Sequence, residues 1–277
     1  MLRRIFTASL FAGLMGLGAM AWAGPRDFVI CLPLGEGSAA AANRYIKPFL
    51  RLMEKKAGWP KGSVTGRYIT GIAACKAYVR THKPGFGLLS QGLYVANRRA
   101  WHLKVIGRVD MPRGAGRRLY LVVKKGAYSS LDQLKGKTLK SNHVAETSFL
   151  SKVIFRGKVN AARFFRLRST SSPLMGFKSV HRGRADCTLV NDDELAIMKR
   201  RREGKDLEII YKSPRLPQTP VVAFGRNASK ADIAALRKAL PSLCFGDGKS
   251  VCQNAMIRRF KSAGDGTYRS IVRLFGR

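Results

Sequence analysis

The regular alternation of short apolar runs with helix-spaced segments limits what this chain can fold into more than any other feature. Asp27–Leu32, Val64–Ile69, Phe86–Leu89 and Leu103–Val109 are runs of strand length. Between them, apolar residues recur at helical spacing: Tyr45, Phe49 and Leu52 in one segment, where Pro48 can kink the helix, and Ile72, Cys75 and Val79 in the next. Turn signals punctuate the pattern. Gly35-Glu36-Gly37 precedes Ser38, a natural helix cap, and Ser90-Gln91-Gly92 leads into a helix bearing Leu93 and Tyr94. This rhythm predicts an α/β fold built on a mostly parallel sheet covered by helices on both faces.

Two irregular stretches interrupt it. Asp110–Arg118 contains Pro112, Gly114 and Gly116, and Lys212–Pro220 contains Pro214, Pro217 and Pro220. Between them the pattern resumes, with strands expected at Leu119–Val123, Thr138–Ser141, Arg163–Leu167, Cys187–Val190 and Leu207–Tyr211. Helices are expected from Thr147 or Ser148, from Ser172 with Pro173 at the first position, and from Asp192 to Arg202. Beyond the second break come a strand at Val221–Phe224 and a helix opened by Ser229-Lys-Ala-Asp232, which resembles a capping box. The rest reads as helical. This tail is too short for a domain and is expected to return to the first unit. The chain thus divides into lobe 1 (24–112 plus 213–277) and an inserted lobe 2 (113–212). Two Rossmann-like lobes joined by a two-strand hinge form a cleft that closes on a ligand.

Residues 1–23 read as a signal peptide. Arg3 and Arg4 precede an apolar run, and Ala21-Trp22-Ala23 places small residues where a signal peptidase cuts, before Gly24. Cleavage following Ala23 would deliver the chain to the periplasm or the medium. Of the five cysteines, Cys244 and Cys252 bracket a turn-rich stretch and are the first candidate disulfide. Cys31 and Cys75, on a strand and a helix of one lobe, are the second, leaving Cys187 buried. Other pairings of five cysteines stay open.

The chain carries 52 Lys+Arg against 16 Asp+Glu, a net charge of +36. The excess is spread over both lobes, with 27 basic and 7 acidic residues in lobe 1 and 23 and 9 in lobe 2. Such a field draws anions and anionic envelope surfaces, or simply solvates the molecule. Nucleic acid is not expected, because no helix-turn-helix, zinc-finger or RNA-binding signature is present. Metal spacing is absent too: there is no CxxC and no HExxH, and His82, His102, His143 and His181 are scattered. No cofactor is therefore expected. His143 with Glu146 and Ser148 is the one loose cluster of catalytic residue types, and it lacks a third positioned group, so the chain does not read as an enzyme.

Four segments then resemble one known family in order. Leu131-Asp-Gln-Leu-Lys-Gly-Lys-Thr-Leu139 resembles a strand entry of type II periplasmic binding proteins. Gly87–Ala96, His181–Asp192 and Ser213–Val222 resemble segments of the phosphate/phosphite/phosphonate-binding proteins of ABC transporters. The resemblance implies the type II periplasmic binding protein fold, a monomer, a small anionic ligand, and an ABC transporter permease as partner. It places the ligand at loops following strand ends, where helix N-termini offer free N–H groups. Carried over by motif, the candidate ligand-binding residues are Glu36, Ser38, Gly71, Ser90, Gln91, Tyr94, Glu146, Thr147, Ser148, Ser171, Ser172, Asn191 and Asp192. One departure stands out. The family's second-lobe anion loop runs Ser/Thr-Ser/Thr-Gly, whereas Glu146-Thr147-Ser148-Phe149 lacks the glycine and adds a carboxylate. Glu146 and Asp192 can therefore suit a ligand with an amine, or serve as helix N-terminal acids. The alternative role is a repurposed binding-protein fold, used as a sensor without transport or as a cationic protein binding an envelope polyanion.

Overall fold

A computed structural model describes residues 26–33, 39–111 and 118–276. The expected signal peptide, Glu36 and Ser38 lie outside the described residues. The chain begins with β1 (Phe28–Cys31), α1 (Ala39–Ala57), β2 (Gly66–Ile69), α2 (Ile72–His82), β3 (Phe86–Leu89), α3 (Gln91–Asn97) and β4 (Leu103–Asp110). The central segment supplies β5 (Leu119–Lys124), β6 (Thr138–Ser141), α4 (Thr147–Phe149) with a π-helical continuation over Leu150–Ile154, α5 (Ala161–Phe164) and β7 (Arg166–Ser169). It continues through α6 (Pro173–His181), β8 (Cys187–Asn191), α7 (Asp192–Lys199) and β9 (Leu207–Lys212). The tail contributes β10 (Thr219–Phe224), α8 (Lys230–Ala239), α9 (Gly248–Asn254), β11 (Arg259–Lys261) and α10 (Arg269–Phe275).

These strands form two sheets, ordered β11-β4-β10-β3-β1-β2 and β7-β6-β8-β5-β9. In the first, β1 runs parallel to β2 and β3, while β10 enters antiparallel between β3 and β4. In the second, β6 runs parallel to β7 and β8, and β5 is antiparallel to both β8 and β9. Strands β1, β3 and β8 are buried along their whole length, as central strands covered on both faces should be. Each parallel core ends its strands on one edge: Cys31, Ile69 and Leu89 in the first sheet, and Ser141, Ser169 and Asn191 in the second.

The two crossings between the sheets are tied together at Ser213, which is fully buried. Its N–H donates to Leu119 O at 2.8 Å, its Oγ accepts from Leu119 N at 2.8 Å, and its carbonyl accepts from Arg118 Nη1 at 2.6 Å. One apolar cluster runs through both sheets. It joins Leu89, Leu93 and Tyr94 to Leu121, Phe149 and Ile154, and to Tyr268 and Ile271 from the tail. Helix α10 packs on the π-helical turn, where Lys152 Nζ donates to Phe275 O at 3.0 Å and stands 5.3 Å from the centroid of the Phe275 ring.

Three local expectations are revised. The strand expected at Arg163–Leu167 starts later, because Asn160 accepts from Arg163 N and caps the short helix α5. Strand β11 falls where a helix was expected. It forms by pairing with the edge of β4, and Phe260 is buried against Phe49 with ring centroids 5.9 Å apart. The cap of α4 is Glu146, with no side-chain bond to its own helix, and not Thr147 or Ser148.

Both candidate disulfides are present, Cys31–Cys75 and Cys244–Cys252, and Cys187 is free and buried. The bridged residues are 44 and 8 positions apart. Closing the longer loop removes more unfolded-chain entropy. Replacing Cys31 and Cys75 by serine should therefore lower stability by about 4 kcal/mol, and the same change at Cys244 and Cys252 by about 2.5 kcal/mol, in denaturant titrations. Equal losses would show that native-state contacts of the bridges, and not loop length, set their worth.

Candidate functional site

The site builds from Ser90, the residue between β3 and α3. Its backbone N–H continues the sheet by donating to Cys31 O at 2.9 Å, and its extended ψ of 156° turns the chain into the helix. As N-cap, its Oγ accepts from Leu93 N at 3.2 Å. The same hydroxyl donates to Glu146 Oε1 at 2.7 Å. Glu146 belongs to the loop after β6 in the other sheet, so this hydrogen bond joins the carboxyl edges of the two sheets. The backbone amides of Gly92 and Leu93 lie beside the Glu146 carboxylate and favour its charge. A Cβ at position 92 would lie 2.5 Å from Glu146 Cδ, so the close approach depends on glycine there. Gln91 Nε2 donates to Pro217 O, which fastens the start of α3 to the second crossing.

The loop that presents Glu146 is itself held. Ser141 Oγ donates to Leu189 O at 2.7 Å and accepts from His143 N at 3.0 Å. Glu194 gathers three donors: Asn142 Nδ2 at 3.0 Å and Asn191 N at 2.7 Å, with His143 Nε2 at 2.8 Å. Burial opposes a charge on Glu194, yet His143, Asn142 and the Asn191 amide together hold it below the usual glutamate range. Asn191 completes a capping box at α7, its Oδ1 accepting from Asp193 N and Glu194 N at 2.9 Å each. Its Nδ2 is buried with no hydrogen-bond partner among the described residues.

The other expected residues are placed as follows. Tyr94 is a core residue: it is 1% exposed, packs edge-on against Tyr268, and directs its hydroxyl to Asp265 Oδ1 at 3.4 Å. Asp192 accepts from Arg118 N at 3.0 Å and Tyr120 Oη at 2.7 Å, so it braces the first crossing. Gly71 is an exposed N-cap of α2, and Ser171 and Ser172 precede α6 with no side-chain cap bond. Thr147 and Ser148 follow Glu146 on α4. The structure thus brings Ser90, Gln91 and Glu146 together and leaves Gly71, Ser171 and Ser172 on the same edges without a direct contact. The loose cluster of His143, Glu146 and Ser148 is not assembled, because His143 is paired with Glu194. Gly92 and Glu194 were missed as site residues. The N-x-x-E spacing of Asn191 and Glu194 was the available signal for the second, whereas nothing local marks Gly92.

Burial, the largest influence, pushes Glu146 up to about 7, against the opposing hydrogen bonds from Ser90 and the Leu93 and Gly92 amides. A carboxyl raised in the folded state keeps its proton after the unfolded chain has lost it. Its contribution to stability is therefore complete in acid and lost as pH climbs from the ordinary 4.5 through about 7. Measured against Glu146→Gln, the wild type should lose about 3 kcal/mol of stability across that window in urea titrations. A difference that stays flat would mean the carboxyl is well solvated.

Several known proteins share this architecture. A binding-protein component of an ABC phosphonate transporter from Pseudomonas aeruginosa superposes with a TM-score of 0.64 at 17% identity, covering 91% of this chain and 85% of that one. PhnD1 of Prochlorococcus marinus in complex with methylphosphonate gives 0.62 at 15% identity, covering 90% and 97%. XAC2383 of Xanthomonas citri bound to chloride ion gives 0.66 at 12% identity, covering 91% and 96%. At these identities the likeness establishes the fold, which is that of the type II periplasmic binding proteins. No curated protein matches the chain in sequence. Among the described residues no helix is long and apolar enough to cross a membrane. Residues 36–268 match the model for the periplasmic substrate-binding protein of phosphonate ABC transporters, and the chain belongs to that family.

Proposed function

We propose that this protein captures a small ligand bearing an oxyanion, of the phosphonate or phosphate class, between lobe 1 (24–112 plus 213–277) and lobe 2 (113–212). It then hands the ligand to an ABC permease. The observation that carries this reading is the meeting of the two carboxyl edges at Ser90 and Glu146, where a hydroxyl and two helix amides converge on an acidic group. Such donors suit the oxygens of a tetrahedral or planar anion. The open donor of Asn191, at the end of β8, supports it, since a buried N–H without a partner is costly unless something else accepts from it. Methylphosphonate in the PhnD1 complex gives the first chemistry to try. The protein acts as a monomer and leaves its ligand unchanged.

We further propose that residues 1–23 are removed on export, which leaves Gly24 as the first residue of the periplasmic chain. Mass spectrometry of protein recovered from the periplasm should show that terminus. A chain retaining Met1 would refute cleavage.

The charge of +36 favours a second reading, a repurposed fold that holds an anionic envelope polymer or lipid. A thermal-shift panel at near-physiological salt separates the two. Phosphate, phosphite, alkyl- and aminoalkyl-phosphonates, sulfonates and amino acids form one arm, and polyanions the other. A saturable rise with one small-molecule class supports capture, because a ligand bound only by the folded state stabilises it by mass action. Shifts from polyanions alone, vanishing as salt rises, would favour the envelope reading.

A further inference from the structure

Resting on the reading of this cleft as an oxyanion site, we infer that Glu146 is a tethered competitor, whose own carboxylate takes the place of a ligand's acidic group at Ser90, Gly92 and Leu93. An anionic ligand then gains these donors only by displacing Glu146.

The argument is first one of donor inventory. A serine hydroxyl has one proton to give, and the Ser90 proton goes to Glu146 Oε1 at 2.7 Å. The same carboxylate lies against the backbone at Gly92, beside the Leu93 amide. A second anion at the Ser90 hydroxyl would find its proton taken and, where Glu146 is ionised, would meet a like charge beside it.

The second argument is how Glu146 is used. It stands at the N-cap position of α4, where an acidic side chain ordinarily folds back onto its own helix. Here it makes no bond to its own helix and reaches α3 in the other sheet instead. Its carboxyl lies directly on the backbone of position 92, where any Cβ would collide with Cδ, Oε1 and Oε2 at 2.5 to 2.7 Å. The approach is that of a bound carboxylate, made from within the chain.

The third is preorganisation. The loop bearing Glu146 is pinned by Ser141 to β8 and by Asn142 and His143 to Glu194. A group held so close to its partner is present at an effective concentration of millimolar or more, without the ordering entropy of a free ligand. The same bond fastens the two carboxyl edges to each other, so Glu146 also performs the bridging that a captured ligand would perform.

The test is calorimetric titration of the full exported chain with methylphosphonate, inorganic phosphate and acetate at near-physiological salt. The variants are Glu146→Ala, which removes the competitor, and Glu146→Gln, which keeps its shape should the smaller residue unfold the chain. Both variants should bind at least one of these anions tighter than the wild type, Glu146→Ala by about tenfold or more and Glu146→Gln, which loses the charge but still offers Ser90 an acceptor, by less. Amide exchange at Gly92 and Leu93 should quicken in the variant and slow again when the anion is added. Equal affinity in wild type and variants would overturn the inference and leave the capture reading standing. No binding by any of the three chains would overturn the inference and count against small-oxyanion capture as well.

Discussion

The hydrogen bonds that tie Ser213 to Arg118 and Leu119 fix where the chain leaves the first sheet and where it comes back. Because exit and return are adjacent, β10 can slot between β3 and β4 and finish a sheet begun more than a hundred residues earlier. The parallel strands of each sheet then end on a single edge, and the contact of Ser90 with Glu146 shows that these edges meet. Asp192 belongs to the same bracing, since it accepts from both Arg118 and Tyr120. It was expected to touch a ligand. In the structure both of its carboxylate oxygens are engaged at the crossing.

The electrostatic economy of the site is unusual for so basic a protein. Among the described residues no lysine or arginine pairs with Glu146. Its partner is the Ser90 hydroxyl, and the nearby Gly92 and Leu93 amides favour its charge while burial opposes it. Glu194, a few residues from a helix start, is treated in the opposite way: the His143 ring and two further donors keep it charged. Two glutamates near one edge are thus tuned apart by their neighbours, one able to shed its charge near neutrality and one fixed as an anchor.

Much of the architecture was legible because local and tertiary preferences agree. Phe86–Leu89 and Thr138–Ser141 have the bounds expected from their apolar runs and the turn residues around them. Ser229 acts as the cap its position suggested. Both cysteine pairs form as the spacing and shared lobe suggested. What was not legible depends on contacts far apart in the chain. Arg259-Phe260-Lys261 has one apolar residue and becomes a strand through the free edge of β4. Tyr94 has the polar tip of a ligand-wall residue, but Asp265, 171 positions away, takes its hydroxyl. The loop at Glu146 showed an extra carboxylate, yet its partner lies 56 positions earlier and no local pattern names it.

The apolar cluster shared by both sheets has a thermal meaning. Leu93 and Tyr94 pack in one cluster with Phe149 and Ile154, and α10 lies across the π-helical turn. Any swing that parts the sheets must wet some of this surface, so opening resembles a small act of unfolding more than the turning of a free hinge. Exposed apolar surface raises heat capacity, and the drive to keep it covered weakens on cooling. Any parting of the two sheets would therefore depend on temperature through this shared surface.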